Sequence, residues 1–279
     1  MSALASSTAA PYLHQAMVRV RHHIKKHSLR LLLLLALLLA GPMSMLAMGQ
    51  SAGADWRTAS RDPVGIAPDP AVHPQPIVQV YAARAYGWRG AFGVHSWISL
   101  KEESAASYEN WHVLRWRARY GGAAVSRRTG PPDRRWFGSA PQLVAHLEGN
   151  AAAAAIPKIR AAIEAYPYTR DYTLWPGPNS NTFTAWVGRA VPALELDLPP
   201  TAIGKDYRGA EVLGAATSGT GVQFSLFGLL GVTAALREGV EVNVAGLTVG
   251  LDFDDLNLKL PGVGRVGPAP NRRAEQAGD

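Results

Sequence analysis

The N-terminal part of the chain contains one continuous apolar segment, unlike the alternating patterns that follow it. Residues 29–48 are nearly all apolar apart from Arg30 and Ser44, and a helix that crosses a bilayer needs about 20 such residues. Basic residues precede this segment, and no Lys or Arg follows it until Arg57. The positive-inside rule then keeps the N-terminus in the cytoplasm. The pattern predicts a single pass through the inner (cytoplasmic) membrane, in contact with membrane lipid, with the main domain on the periplasmic side.

The apolar segment has two interpretations. It is either a retained membrane anchor or a signal peptide that is cleaved at the small residues Ala52, Gly53 and Ala54. The basic region before it is long for a signal peptide, and Gly41 and Pro42 would shorten a signal core. A buried core helix fits less well, because the segment is apolar on every face.

A proline-rich stretch separates the apolar segment from the first predicted strands. Residues 54–76 contain five prolines, which predicts an extended tether with little regular structure. Period-two alternation then predicts strands at residues 77–82, 91–100 and 111–120, the second of which carries His95. Because the links between these strands are short, we predict an antiparallel sheet.

The following sequence predicts helices and then a second set of strands. Residues 141–147, 150–166 and 183–191 are typical of helices, and residues 222–232 and 240–260 indicate a β meander. The predicted fold class is α+β: an antiparallel sheet with packed helices, a β-rich C-terminal portion and an N-terminal transmembrane helix. The predicted organisation is a basic cytoplasmic segment (1–28), a transmembrane anchor or signal segment (29–48), a tether (49–76), an α+β core with the candidate site (77–200), a β-rich portion (201–262) and a disordered tail (263–279).

The distribution of charge argues against a protein that binds nucleic acid. The chain has 28 Lys and Arg residues against 21 Asp and Glu residues. Five of the basic residues and none of the acidic ones lie in residues 1–54, so the rest of the chain has a net charge of only +2. Binding to nucleic acid needs a basic face on the folded domain, so we predict no such partner.

The composition also limits the chemistry. The chain contains no cysteine, which excludes disulfides, thiolate zinc sites and a cysteine nucleophile. The histidines after the apolar segment are scattered without the spacing of metal ligands. Asp252, Asp254 and Asp255 predict a solvated acidic turn rather than a calcium site. We predict no metal site and no cofactor.

The segment WPGPNSNTF, residues 175–183, is the strongest candidate for a chemical site. Its polar cluster lies at a predicted helix start, where free backbone N–H groups and the helix dipole can hold an oxyanion. Ser180 is the natural nucleophile there, with Asn179, Asn181 and Thr182 as supporting groups. The simpler interpretation is that Ser180 or Asn179 only caps the helix.

His95 is the second candidate. It lies between apolar residues in a predicted strand, where a histidine is either a hydrogen-bonded core residue or a base for Ser180. A third polar group would orient its imidazole, and Glu109 and His112 at the start of the next strand are the candidates. A stretch of seven arginines between residues 115 and 135, interleaved with tryptophans, predicts either a solvated face or a contact surface for an anion.

Three segments carry a resemblance to a known family. WPGPNSNTF, LPPTAIGKDY (198–207) and LKLPGVGRVG (258–267) resemble a family of uncharacterised bacterial envelope proteins, domain of unknown function 3750. The resemblance extends from about residue 56 to about residue 267. It implies a family and no mechanism.

A more distant resemblance concerns the order of the candidate residues. Permuted papain-like proteins of the lecithin:retinol acyltransferase type place a histidine on an early strand, a polar residue on the next strand, and Asn-Cys-x-Thr at a helix start. In this chain His95 would be the base, and Glu109 or His112 the polar residue. Ser180 takes the position of the cysteine nucleophile, between Asn179 and Thr182. Serine has a far higher pKa than cysteine and needs stronger activation.

Two functional hypotheses follow. The first is a hydrolase or acyltransferase of the cell envelope, in which Ser180 attacks an amide or ester of a peptidoglycan peptide, a lipid or a lipoprotein. The second is a non-catalytic envelope protein that binds or scaffolds a partner. The two differ in whether Ser180 and His95 face an open groove or are held in structural hydrogen bonds.

Overall fold

The computed structural model describes residues 9–49 and 55–268. It contains an N-terminal helix, a five-stranded antiparallel sheet with two helices packed on it, and a seven-stranded antiparallel sheet at the C-terminal end. This confirms the predicted α+β class. The first-sheet elements are β1 (Ile77–Arg84), a 3₁₀ helix (Gly87–Ala91), β2 (Val94–Lys101), β3 (Glu109–Val113), α2 (Arg115–Arg119), β4 (Val125–Thr129) and β5 (Gln142–Glu148).

The five strands lie in the order β4-β3-β2-β1-β5, and all neighbouring pairs are antiparallel. β1 and β2 pair along their whole length, from Ile77 opposite Lys101 to Arg84 opposite Val94. β3 pairs with β2 only at the far end, opposite Ile98 to Leu100. The first half of β2 therefore has no strand pairing on its β3 side.

The prediction of a helix at residues 141–147 is wrong. Residues Gln142–Glu148 form β5, which pairs with β1 at the edge of the sheet. A short apolar run is compatible with either structure by pattern alone. Residues 142–148 form a strand because the backbone N–H and C=O groups on this edge of β1 need hydrogen-bond partners, and pairing with β5 supplies them.

The predicted third strand, residues 111–120, is correct only in its first part. β3 ends at Val113, which lies opposite Val125, the first residue of β4. Beyond this pair β4 offers no further residues for the ladder, and the chain turns into the short helix α2 instead. The alternating pattern of large side chains therefore extends beyond Val113, although no partner strand is present there to continue the sheet.

Two helices cover one face of this sheet. α3 (Gly149–Glu164) is Ala-rich and contains Pro157 without being divided by it, and α4 (Ser180–Ala190) follows a loop and ends before Pro192. Both were predicted within a few residues. The core lies between these helices and the sheet and includes the buried side chains of Val78, Val80, Ile98, Leu100, Ile156, Ile159, Phe183 and Val187.

The opposite face of the sheet carries an aromatic layer. Tyr81 and Trp97 stack with ring centroids 5.6 Å apart, and Trp136 packs against them from the loop between β4 and β5. The indole N–H of Trp97 donates to the carbonyl of Pro132 at 2.9 Å. His95 belongs to this face, because it alternates with Trp97 along β2.

The C-terminal sheet is a meander in the order β12-β11-β10-β9-β8-β7-β6. This confirms the predicted meander and adds strands at both ends of it, including one inside the predicted disordered tail; residues 269–279 of that tail lie outside the described residues. Its strands are β6 (Leu213–Ala215), β7 (Gly221–Leu226), β8 (Leu230–Ala235), β9 (Gly239–Val244), β10 (Leu247–Asp252), β11 (Asn257–Leu260) and β12 (Gly264–Val266).

The inner face of this sheet is polar. Gln223, Glu241 and Asn243 are buried on it. The Gln223 amide donates to Asp206 at 2.6 Å, and the Asn243 amide donates to the same carboxylate at 2.8 Å. The Lys259 ammonium, which is fully buried, donates to a carboxylate oxygen of Glu241 at 2.8 Å. The inner layer is therefore held by paired polar groups rather than by an aliphatic core.

The outer face of the same sheet is apolar, and its side chains are exposed or half-buried. Cross-strand register places them on one surface, for example Val232 opposite both Phe224 and Val242. We call this surface the aliphatic face. Its members are Leu213, Ala215, Val222, Phe224, Leu226, Leu230, Val232, Ala234, Val240, Val242, Val244, Leu247, Val249, Leu251, Leu258, Leu260 and Val266.

The N-terminal helix α1 (Ala9–Ala47) is long and apolar enough to cross a membrane, by length and composition. Its later turns pack on the domain: Leu38 and Pro42 are buried, and a Cβ at Gly41 would lie 2.1 Å from the carbonyl oxygen of Pro261. The Arg84 guanidinium donates to the carbonyl of Gly262 in the same turn. α1 is therefore docked against the turn between β11 and β12.

Candidate functional site

The start of α4 is built by its N-cap residue, Asn179. The Asn179 side-chain oxygen accepts the backbone N–H groups of Asn181 at 2.9 Å and Thr182 at 3.2 Å. The Thr182 hydroxyl accepts the Asn179 N–H at 3.1 Å, which completes a capping box. The Asn179 amide also donates to the carbonyls of Leu174 and Ile203. Asn179 and Thr182 thus have structural roles at the helix start.

Ser180 is the first residue of the helix and not its cap. Its side chain is 3% exposed, and its hydroxyl has no hydrogen-bond partner among the described residues, whereas its carbonyl accepts the Thr184 hydroxyl at 3.0 Å. Its neighbour Asn181 donates to the carbonyls of Val94 at 3.0 Å and Ile203 at 2.8 Å. Within the NSNT motif, Ser180 is therefore the residue whose side chain the described fold does not use.

His95 and His112 form a hydrogen-bonded pair. His95 Nε2 lies 3.1 Å from His112 Nδ1, so one nitrogen donates its proton to the other. The His95 ring also stacks on Trp136, with centroids 3.7 Å apart and planes 12° from parallel. Of the two predicted partners for His95, His112 is the one that the fold brings to it.

Burial keeps both imidazoles neutral. It lowers the pKa of His95 well below 6.5, and the neighbouring His112 lowers this pKa further. Burial, together with the positive charge of Arg128, lowers the pKa of His112 to about 3. Both imidazoles are therefore uncharged at pH 7, and each accepts a proton less readily than an ordinary histidine.

Glu109 does not join this pair. Its carboxylate accepts the Arg160 guanidinium of α3 at 3.2 Å and lies 3.6 Å from Arg127. Glu109 and His112 are three positions apart on β3, so strand alternation directs them to opposite faces of the sheet. Of the two candidates for the partner of His95, Glu109 is therefore wrong, and His112 is the residue that contacts His95.

Ser180 and His95 are not hydrogen bonded to each other among the described contacts. The β2 side chain that hydrogen bonds to α4 is that of Ser96, whose hydroxyl donates to the Asn181 side-chain oxygen at 2.8 Å. Because His95 and Ser96 are adjacent in the strand, they point to opposite faces. A Ser180–His95 couple would need local movement, and it stays a prediction.

A cavity of about 1200 Å³ brings both residues to one space. Ser180, His95 and His112 all line it, and it extends from the aromatic layer past the unpaired half of β2 to the start of α4. Its walls are rich in aromatic side chains. The aromatic lining residues are Trp56, Tyr86, Trp88, Phe92, Trp97, Trp116, Tyr120, Trp136, Phe137, Tyr172 and Trp175.

The charged lining of the cavity is entirely basic among the described residues. Six arginines line it and no aspartate or glutamate does. None of the six forms an ion pair with a carboxylate in the part of the chain that the structure describes. The arginines are Arg61, Arg89, Arg115, Arg128, Arg134 and Arg135. Four of them come from the predicted arginine and tryptophan stretch, which is thus partly a cavity wall and not only a solvated face.

The sequence pattern does not identify Tyr172 as a cavity residue, and it includes Trp136 and Trp175 only as members of longer segments. Trp136 stacks on His95 from a loop 41 positions later in the chain, and the Trp175 indole is fixed by the Ala245 carbonyl at 2.8 Å. The usable signal was the interleaving of tryptophans with arginines, since aromatic rings and guanidinium groups together are typical of a binding surface.

Residues 75–207 match the family model described as "Protein of unknown function (DUF3750)". The match includes the first sheet, α3, α4 and every predicted site residue, and it ends before the C-terminal sheet. It is shorter than the predicted resemblance over residues 56–267. No curated protein and no solved structure matches the chain, so the papain-like resemblance stays a prediction. The chain carries a domain of the DUF3750 family.

Proposed function

We propose that this chain is a membrane-anchored protein whose folded domain binds an anionic amphiphile, a lipid with a phosphate group, in the cavity that Ser180 and His95 line. The observation that carries the proposal is the lining of that cavity. Aromatic walls supply apolar contact area for acyl chains, and the arginines supply charge for a phosphate.

The unpaired arginines point to an anion in particular. Four of the six cavity arginines are exposed and two are half-buried, and several arginines without a carboxylate partner raise the local positive potential. Among the described residues, neither Arg115 nor Arg128 forms a hydrogen bond or an ion pair with another side chain. A bidentate contact from an arginine suits a phosphate group, because the planar guanidinium matches its oxygens.

The docking of α1 supports a retained anchor. Removal of residues before 55 would uncover the surface on which Leu38 and Pro42 are buried. It would also remove the helix that packs against the 3₁₀ helix Gly87–Ala91, whose Trp88 lines the cavity. In this proposal α1 keeps the cavity next to the membrane, where a lipid ligand is abundant.

The test uses the full chain in detergent micelles, with phosphatidylglycerol and phosphatidylcholine of identical acyl chains as ligands and native mass spectrometry as readout. We expect tighter binding of the anionic lipid. Arg115→Gln and Arg128→Gln should each weaken it by a factor of about ten or more, since a hydrogen bond to a charged group contributes roughly 1.5–3 kcal/mol.

Arg119→Gln is the matched control. Arg119 lies on the same helix as Arg115, is exposed, and is not part of the cavity lining. Its substitution should leave lipid affinity unchanged. Equal binding of the two lipids, or an equal effect of all three substitutions, would contradict the proposal.

A second candidate function is acyl transfer or hydrolysis at Ser180, favoured by its unpartnered hydroxyl in the cavity wall. Ser180 Oγ would attack the carbonyl carbon of an ester or amide, and its proton would pass to His95. Backbone N–H groups at the start of α4 would hold the oxyanion. The leaving alcohol or amine would take the proton, and water or a second alcohol would release the acyl group.

This candidate is tested by labelling the full chain with a fluorophosphonate and locating the modified peptide by mass spectrometry. We expect label on Ser180, loss of label in Ser180→Ala, and weaker labelling in His95→Ala. Ser104→Ala is the control, because Ser104 is exposed and lies outside the cavity lining. Lipid binding without any label on Ser180 would leave a binding protein and refute the catalytic function.

A further inference from the structure

The C-terminal sheet has its polar side chains on the inner face and its apolar side chains on the outer face, the reverse of the usual arrangement in a soluble protein. Its inward positions include Gln223, Glu241 and Lys259, all buried. Its outward positions form the aliphatic face, where Val222 is 59% exposed and Leu230 48%. An antiparallel sheet with one solvated face normally places its apolar side chains inward and its polar ones outward.

The aliphatic face is also large and free of charge. Seven strands about 4.8 Å apart and about 17 Å long make a surface on the order of 500 Å². This is at the upper end of the apolar patches found on soluble monomers. Within the strands, no polar or charged side chain interrupts it. A surface of this kind requires an apolar partner.

The position of α1 identifies that partner. The stretch from Leu31 to Ala47 is about 25 Å long as a helix, so all of it is needed to cross a hydrocarbon layer of about 30 Å. Gly41 lies six residues before the end of α1, about 9 Å inside that layer. Gly262 packs directly on Pro42, since a Cβ at Gly262 would lie 2.4 Å from the Pro42 nitrogen.

The turn between β11 and β12 therefore lies at the depth of the outer leaflet. α1 also packs against β10, so the contact extends into the sheet itself. Leu247 belongs both to the aliphatic face and to the cavity lining. The aliphatic face is thus continuous with the membrane helix on one side and with the cavity on the other.

We propose that the aliphatic face of the C-terminal sheet inserts into the hydrocarbon of the leaflet into which α1 emerges. This rests on the membrane anchor proposed above. Lipid acyl chains cover the outward side chains, and the paired polar groups of the inner face stay inside the protein. Because Leu247 joins the two surfaces, a lipid can reach the cavity laterally without first passing through water.

The absence of cysteine allows single-cysteine probes in the full chain. Val232→Cys and Val242→Cys place an environment-sensitive nitrobenzoxadiazole label at the middle of the aliphatic face. Lys158→Cys, on the exposed side of α3, is the matched control. Leu34→Cys, within α1, reports the anchor itself. Each protein is reconstituted in phosphatidylcholine vesicles that contain about 20% phosphatidylglycerol. The measurements are made with and without doxyl-labelled lipid.

The labels at Val232 and Val242 should show blue-shifted emission and be quenched by doxyl lipid severalfold more than the label at Lys158. Blue shift without quenching, together with a dimer in detergent, would mean that a second copy covers the face and would overturn the proposal. Emission typical of water would overturn it as well. If the label at Leu34 is not quenched either, the proposed membrane anchor is refuted as well. If the label at Leu34 is the one that is quenched, the anchor stands and only the insertion of the sheet is refuted.

Discussion

Removing the Lys259 ammonium should destabilise the C-terminal sheet far more than removing a charge at its surface. Lys259 is fully buried, and its ammonium donates to Asp197 at 3.0 Å, to Glu241 at 2.8 Å and to the Glu238 carbonyl at 2.7 Å. In Lys259→Met the methylenes are replaced by a side chain of similar volume, so the loss of charge and donors is the main change.

The expected magnitude follows from the partners that remain. Breaking a buried ion pair by removing one member costs about 3–5 kcal/mol, because the other charge stays buried. Asp197 keeps an ion pair with Arg265, and Glu241 keeps one with Lys205. The two carboxylates are thus only partly uncompensated, and we expect a loss of about 3 kcal/mol in the free energy of unfolding.

Urea unfolding of the full chain in micelles, followed by tryptophan fluorescence, measures this loss as a lower midpoint at constant slope. Arg237→Met, in the turn between β8 and β9, is the matched control. Arg237 pairs with Glu195 and Asp254, which are about half exposed, so its substitution should cost no more than about 1 kcal/mol. Equal effects of the two substitutions would show that the inner ion pairs do not stabilise the sheet.

Three further predictions concern the site and the anchor. Stability should fall as the pH drops below about 6.5, because His95 and His112 then bind protons in the unfolded chain but stay neutral in the folded one. The slope of the free energy of unfolding reaches about 1.4 kcal/mol per pH unit for each histidine, and His112→Gln should make this pH profile shallower. Asn179→Ala should cost about 2 kcal/mol in thermal unfolding, since it removes the cap of α4 and two further hydrogen bonds, and an unchanged midpoint would contradict the role of the cap. Gly41→Val places a side chain against the Pro261 carbonyl, so hydrogen exchange of the turn at residues 261–263 should accelerate, whereas unchanged protection would refute the docking of α1.

The candidate site was predictable in its residues but not in its geometry. The polar cluster before residue 183 predicted the start of a helix, and the structure has a capping box of Asn179 and Thr182 at the start of α4. The spacing could not tell that His95 faces away from α4 while Ser96 faces it, since alternation fixes opposite faces but not which face a helix will cover.

Local pattern determined most of the elements: the apolar helix, the Ala-rich α3, the capped α4 and the C-terminal meander. It failed where pairing partners decide, at β5 and α2, because backbone hydrogen bonds to a distant strand outweigh short-range preference. The sequence alone determined that the meander strands alternate between apolar and polar side chains. Only the tertiary structure decided that the polar side chains lie inside, because buried lysines and carboxylates are stable only where the fold brings opposite charges together.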